Sequence, residues 1–177
     1  MIQFLQFSVS IIFFLNKILV VSGSKESNIR RIGWLLGAIG SVLAVVFSLM
    51  LHLYVFAVLQ FGLIFLQGYG FLAKRDKNMR VEKLLNLIIF VMMVTLAYFL
   101  SVGILTLFEL GGSIGILLGI YFLTHSNQKL GWILCAFGHG CTVYVMHEKS
   151  QYIFAIFQVL SIFVSIYGLF KKDNFKS

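Results

Sequence analysis

The stretch from 33 to 74, GWLLGAIGSVLAVVFSLMLHLYVFAVLQFGLIFLQGYGFLAK, is written a second time from 131 to 172 as GWILCAFGHGCTVYVMHEKSQYIFAIFQVLSIFVSIYGLFKK. An offset of 98 residues aligns the two copies without a gap. Gly33-Trp34 meets Gly131-Trp132, Ala38 meets Ala136, and Gly40 meets Gly138. Tyr54 meets Tyr152, Phe56-Ala57 meets Phe154-Ala155, Gln60 meets Gln158, and Tyr69-Gly70 meets Tyr167-Gly168. Shared Leu or Val would carry little weight in so apolar a chain, whereas a shared Trp, Gln and Tyr-Gly pair is informative. Self-similarity at a fixed offset marks an internal duplication, and it constrains the architecture before any local reading does.

Hydrophobic residues make up 60% of the 177 and charged residues only 11%, with a mean hydropathy of +0.98. A soluble domain carries about a quarter of its residues charged. The chain therefore reads as an all-α polytopic membrane protein. Its net charge of +8 lies in short clusters between apolar runs of membrane length. That pattern speaks for topology and anionic headgroups and against nucleic acid. Cys135 and Cys141 lie six apart in one apolar run, pointing away from each other on a helix, so they read as small packing residues rather than a disulfide or metal pair.

Taken in order, residues 2–21 form a first apolar run, with Lys17 expected to snorkel toward the surface. With no basic residue ahead of Lys17, this run reads as a retained helix rather than a cleaved signal. Further spans are expected at 32–50, 53–73, 84–100, 104–124, 130–146 and 151–170. The fourth and fifth could be one apolar segment, but 84–124 as a single helix would run roughly 60 Å, twice the hydrocarbon thickness. A break near Ser101-Val102-Gly103 resolves this. The count of seven also satisfies the positive-inside rule. With the N-terminus outside, every Lys and Arg of the 14 except Lys17 and Lys149 falls in an inner loop or the tail.

Seven spans accommodate the duplication as a 3+1+3 arrangement with two parallel three-helix repeats. Residues 1–80 form the first repeat, 81–101 a linking transmembrane helix, and 102–177 the second repeat with a short cytoplasmic tail. The fourth span is what makes two odd-numbered units parallel, and parallel repeats about an axis along the membrane normal are a transporter architecture.

This plan resembles the superfamily of the SWEET and SemiSWEET sugar carriers and the PnuC-type vitamin transporters. The stretch from span six to seven is most similar to PnuC: a helix led by Trp132, a short outer turn, then Tyr152, Ala155 and a closing Ile166-Tyr167-Gly168 before basic residues. The resemblance covers nearly the whole chain in topology, but in residues only the two repeated helix pairs. It implies facilitated diffusion of an uncharged vitamin or nucleoside-like solute, of the nicotinamide riboside class, across a bacterial inner membrane. A sugar carrier and a non-transporting membrane interaction protein are the alternatives. The family's Trp-rich start of span six is thinned here to Trp132, and the proline hinge of the sugar carriers has no counterpart in a chain without proline.

Polar groups within hydrocarbon are costly, so each is a candidate for lining a solute path. Gln60 and Gln67, and likewise Gln151, Gln158 and Ser165, recur every seven residues and so share a helix face. They either line a cavity or bond neighbouring helices. Trp34 and Ser41 share a face of span two, and Trp132 and His139 hold the equivalent places on span six. The tryptophans read as an interfacial belt or as stacking platforms for a ring, and His139 as a neutral hydrogen-bonding group near mid-membrane. Glu109 is expected about two turns inside span five, where it could couple transport to protons. Gly111, Gly115 and Gly119, spaced by four, favour close helix packing. No nucleophile with a base, no metal-ligand spacing and no phosphate loop is present, so an enzyme and a cofactor are not expected. The expected partners are a small-molecule substrate and the lipid bilayer, with a homo-oligomer left open.

Overall fold

The computed structural model describes residues 2–24, 27–72, 79–125 and 127–171, and among these the only regular structure is α-helix. The helices are α1 (Ile2–Ser22), α2 (Asn28–Met50), α3 (Tyr54–Leu72), α4 (Met79–Ser101), α5 (Leu107–Thr124), α6 (Gln128–Glu148) and α7 (Tyr152–Phe170). All but α6 are long and apolar enough to cross a membrane. Helix α6 has the length but carries Gln128, Lys129, His139, Thr142, His147 and Glu148 along it. The chain is thus a membrane-embedded helical bundle. Lys25, Lys74, Arg75, Lys77, Lys172 and Lys176, which the charge reading counts as inner, lie outside the described residues.

Local chemistry sets the helix ends. The long apolar stretch from 84 to 124 is interrupted where it was expected to be. Helix α4 stops at Ser101, Gly103 takes a left-handed φ of 74°, and α5 restarts at Leu107. Ser27 and Asn127 cap α2 and α6 by accepting from the backbone N–H of Arg30 and Leu130, each at 3.2 Å. Thr106 and Glu109 cap α5 reciprocally.

The two short turns of the duplicated stretches are built alike. His52 and Ser150, 98 positions apart, are the non-glycine residues at positive φ among the described residues, 57° and 56°. In one turn the N–H of Leu53 reaches the carbonyl of Ser48 at 2.8 Å; in the other Gln151 reaches Met146 at 2.8 Å. Each is the six-residue closure that ends a helix through a left-handed residue and satisfies its orphan carbonyls.

Helix α2 packs between α1 and α3, and α6 between α5 and α7. Contacts also join α1 to α7 and α3 to α5. Helix α4 rests against α3 and α5 and buries one stripe, Leu85, Ile89, Met92 and Leu96. The tightest approach is between α5 and α6. A Cβ placed on Gly115 would come within 2.7 Å of the Gly138 Cα, and one on Gly138 within 2.6 Å of the Ile116 nitrogen. Small residues let these two backbones touch, as membrane helices without a hydrophobic drive to associate require.

Candidate functional site

Between the helices lies a cavity of about 80 Å³. Its lining begins at Leu53 and Gln151, beside the two short turns, and continues down to Gln67, Ile120 and Ser161. Helices α1, α2, α3, α5, α6 and α7 all contribute; α4 does not. Phe13, Phe47, Phe56 and Phe154 supply apolar walls, and Lys17, Gln60, His139, Thr142 and Gln158 stand among them as polar groups.

The helical phase explains who faces in. Gln60 and Gln67 are two turns apart on α3, as are Gln151 and Gln158 on α7, and all four line the cavity. Gln60 leaves its buried Oε1 without a partner. Gln158 accepts from Nδ1 of His139, and this assigns the proton to that ring nitrogen. The freed Nε2 of His139 accepts from the ammonium of Lys17, which also reaches Ser165 Oγ at 3.3 Å. Lys17, His139 and Ser165 are all buried. Lys17 therefore does not snorkel to the surface, as the sequence reading expected. A kinked route outward is unnecessary because His139 and Ser165 offer it acceptors inside. Its neighbour Asn16 donates to the Gly33 carbonyl at 2.6 Å and holds α1 on α2.

Three further candidates stand apart from the cavity wall. Ser41 is fully buried, with its hydroxyl 3.4 Å from Gln67 Oε1. Trp34 and Trp132 are buried at 3% and 1% exposure, so neither is an interfacial belt residue and neither lines the cavity. Each packs under the glycine of the matching Tyr-Gly pair. A Cβ on Gly70 would meet Trp34 Cγ at 2.8 Å, and one on Gly168 would meet Trp132 Cε2 at 2.5 Å. The recurrence of Trp and Gly at the same offset thus has a packing cause: the indole needs the space where a side chain would be.

Glu109 lies in the first turn of α5 rather than two turns inside it. Its carboxylate accepts from the Thr106 backbone at 2.9 Å and from Lys149 at 2.5 Å. It anchors the α6–α7 turn to α5 and takes no part in the cavity. The Thr106-x-x-Glu109 spacing is a capping box, the sequence signal that would have placed the boundary.

Arg30 is a residue that a topology count treats only as a charge. It is 2% exposed and donates to Gln128 Oε1 at 3.2 Å and to the Leu123 carbonyl at 3.0 Å. Positions 30 and 128 are equivalents across the 98-residue offset, so like positions of the two copies meet. This contact, with Trp34 and Trp132 nearby in sequence, closes the bundle at the end away from the short turns. At the turn end Gln6 donates to Gln151 at 2.9 Å, joining α1 to the start of α7.

Among the described residues no group of His, Cys, Asp and Glu is arranged to hold a metal ion. No protein-family model, curated protein or solved structure matches the chain.

Proposed function

We propose that this protein is a transporter that moves a small polar solute, of the vitamin or nucleoside-like kind, across the bacterial inner membrane by facilitated diffusion. The observation that carries the reading is the cavity: polar groups from both duplicated halves converge on it, and Arg30 on Gln128 ties the two halves together outside its lining. Alternating access needs a central site that opens to one side while contacts between the halves close the other. The 3+1+3 plan with parallel repeats fits the pairwise packing, since α1 on α7 is the equivalent of α5 on α3. The matching turns at His52 and Ser150, and the matching Trp34–Gly70 and Trp132–Gly168 contacts, support it too. In this reading the N-terminus and the short turns are outside and the 171 end is cytoplasmic.

A cavity that accepts benzene measures about 150 Å³. At about 80 Å³ the present one suits a solute of a few non-hydrogen atoms, and anything nucleoside-sized requires the two halves to part. A bundle that served only to hold a partner protein would need no polar central cavity. Sugar transport remains the second transport reading, favoured by the neutral hydrogen-bonding pairs of Gln60 and Gln158. Uptake into proteoliposomes over a panel of vitamins, nucleosides, sugars and small acids is the test. Flux above empty-liposome background for any one class is expected. Absence of flux for the whole panel, with folded protein in the bilayer, refutes the reading.

A further inference from the structure

An ammonium group has three N–H donors. That of Lys17 gives one to His139 Nε2 and one to Ser165 Oγ, and no third protein acceptor is present among the described residues. Its charge is equally unanswered. The described carboxylates are all engaged elsewhere: Glu109 with Lys149, Glu82 with Tyr69, and Glu148 with Tyr144. None lines the cavity, and the groups facing Lys17 from α6 and α7 are His139, the Cys135 thiol and Ser165, none of them a carboxylate. A lysine held 7% exposed inside an apolar bundle keeps its charge only against a counter-charge, because a buried unpaired ion is costly. The remaining place for one is the cavity that Lys17 lines. On another of its walls Gln60 Oε1 is a buried acceptor with no donor.

We propose that the solute taken by this cavity is a small monocarboxylate bearing a hydrogen-bond donor, its carboxylate meeting Lys17 and its donor meeting Gln60. The inference rests on the transport reading for its meaning but not for its test. It departs from the uncharged solute that the family resemblance implies. His139 acts here as a positioning residue: Gln158 holds its Nδ1–H, and the opposite nitrogen holds the ammonium. The volume of about 80 Å³, about half that of a benzene-sized cavity, limits the ligand to the smallest hydroxy acids unless the halves part.

Two isosteric pairs isolate charge from shape: glycolate against glycolamide, and lactate against lactamide. Calorimetry on the purified full chain in detergent should show at least one acid binding about tenfold or more tighter than its amide. Lys17→Gln should remove that preference, weakening the acid by about 30-fold while leaving the amide within about threefold. Gln60→Leu should weaken the acid and its amide alike, since both present the same hydroxyl. Wild-type protein that binds each acid and amide equally, or binds neither acid, overturns the proposal even if Lys17→Gln fails to fold. Equal binding would mean that Lys17 is held neutral and structural. Counterflow in proteoliposomes separates this inference from the transport reading. Flux of the amides or of neutral solutes without the acids keeps transport and removes the anion, whereas acid binding without flux of any solute does the reverse.

Discussion

Gly115→Ala should destabilise the bundle by about 1–3 kcal/mol. The added methyl would lie 2.7 Å from the Gly138 Cα, 2.8 Å from its nitrogen and 3.0 Å from the Leu134 carbonyl oxygen. All three are backbone atoms, so no side chain can turn away, and α5 and α6 must part by about 0.5–1 Å to restore ordinary contact. A gap of that size forfeits a quarter to a half of each pairwise dispersion well of about 0.1–0.2 kcal/mol. Over the roughly 40–60 contacts that one leucine-sized patch makes, the loss lies within about 1–6 kcal/mol, near 3 at the middle of each range. The better helix propensity of alanine returns about 1 kcal/mol. Gly140 on α6 is the control, because a Cβ there meets nothing within 4 Å. Cys135, fully buried, reports unfolding when a thiol-reactive fluorophore is added to a Cys141→Ser background in detergent. A melting midpoint lowered by roughly 2–12 °C is expected for Gly115→Ala, against a rise of about 2–4 °C from helix propensity for Gly140→Ala. If the two variants melt together, the helices are not in backbone contact and the packing assigned to these glycines is wrong.

Other outcomes follow from the same geometry. Arg30→Ala should unseal the end away from the short turns, so that a cysteine at Ser161 in a Cys135→Ser, Cys141→Ser background reacts faster with an impermeant reagent from the cytoplasmic face; unchanged reactivity would remove Arg30 from any closure. Thr106→Ala should lower stability by about 1 kcal/mol through loss of the α5 cap, read by the same thermal assay, and a neutral result would deny the capping box its role. Glu109→Gln should cost only about 0.5–1 kcal/mol, since its partner Lys149 is 37% exposed. Its flux should be that of the wild type across pH, whereas a lost pH dependence would return Glu109 to proton coupling. His139→Leu and Gln158→Leu should each weaken solute binding by about 1–3 kcal/mol with normal folded yield, and wild-type affinity in both would leave these groups as helix-to-helix bonds. Cysteines at His147 and Lys83 should label from opposite faces of the membrane, and labelling of both from outside whole cells would break the seven-span topology.

The sequence by itself was enough for seven helices, because thickness and rise per residue are fixed lengths and 84–124 exceeds them. It was enough, too, to put Gln60 with Gln67 and Gln151 with Gln158 on one helix face each, since a seven-residue step nearly closes two turns, but not to say whether that face meets a cavity or another helix. What periodicity along one helix cannot set is which neighbour that face meets. Lys17 near the end of α1 could have reached either water or protein, and only the arrival of α6 and α7, more than 120 residues later, supplied His139 and Ser165 as acceptors. Trp132 read as an interfacial belt residue or a stacking platform, because an indole near a membrane surface is usually the first of these. Its pairing with Gly168, 36 residues on, turned it into packing instead. Glu109 was a matter of one helical turn: hydropathy blurs a boundary by that much, while a capping box fixes it through two hydrogen bonds. Arg30 shows the limit most plainly. Charge counting places it in a loop, whereas the meeting of equivalent positions 30 and 128 buries it against an amide and a carbonyl, an environment that exists only after both copies have folded and docked.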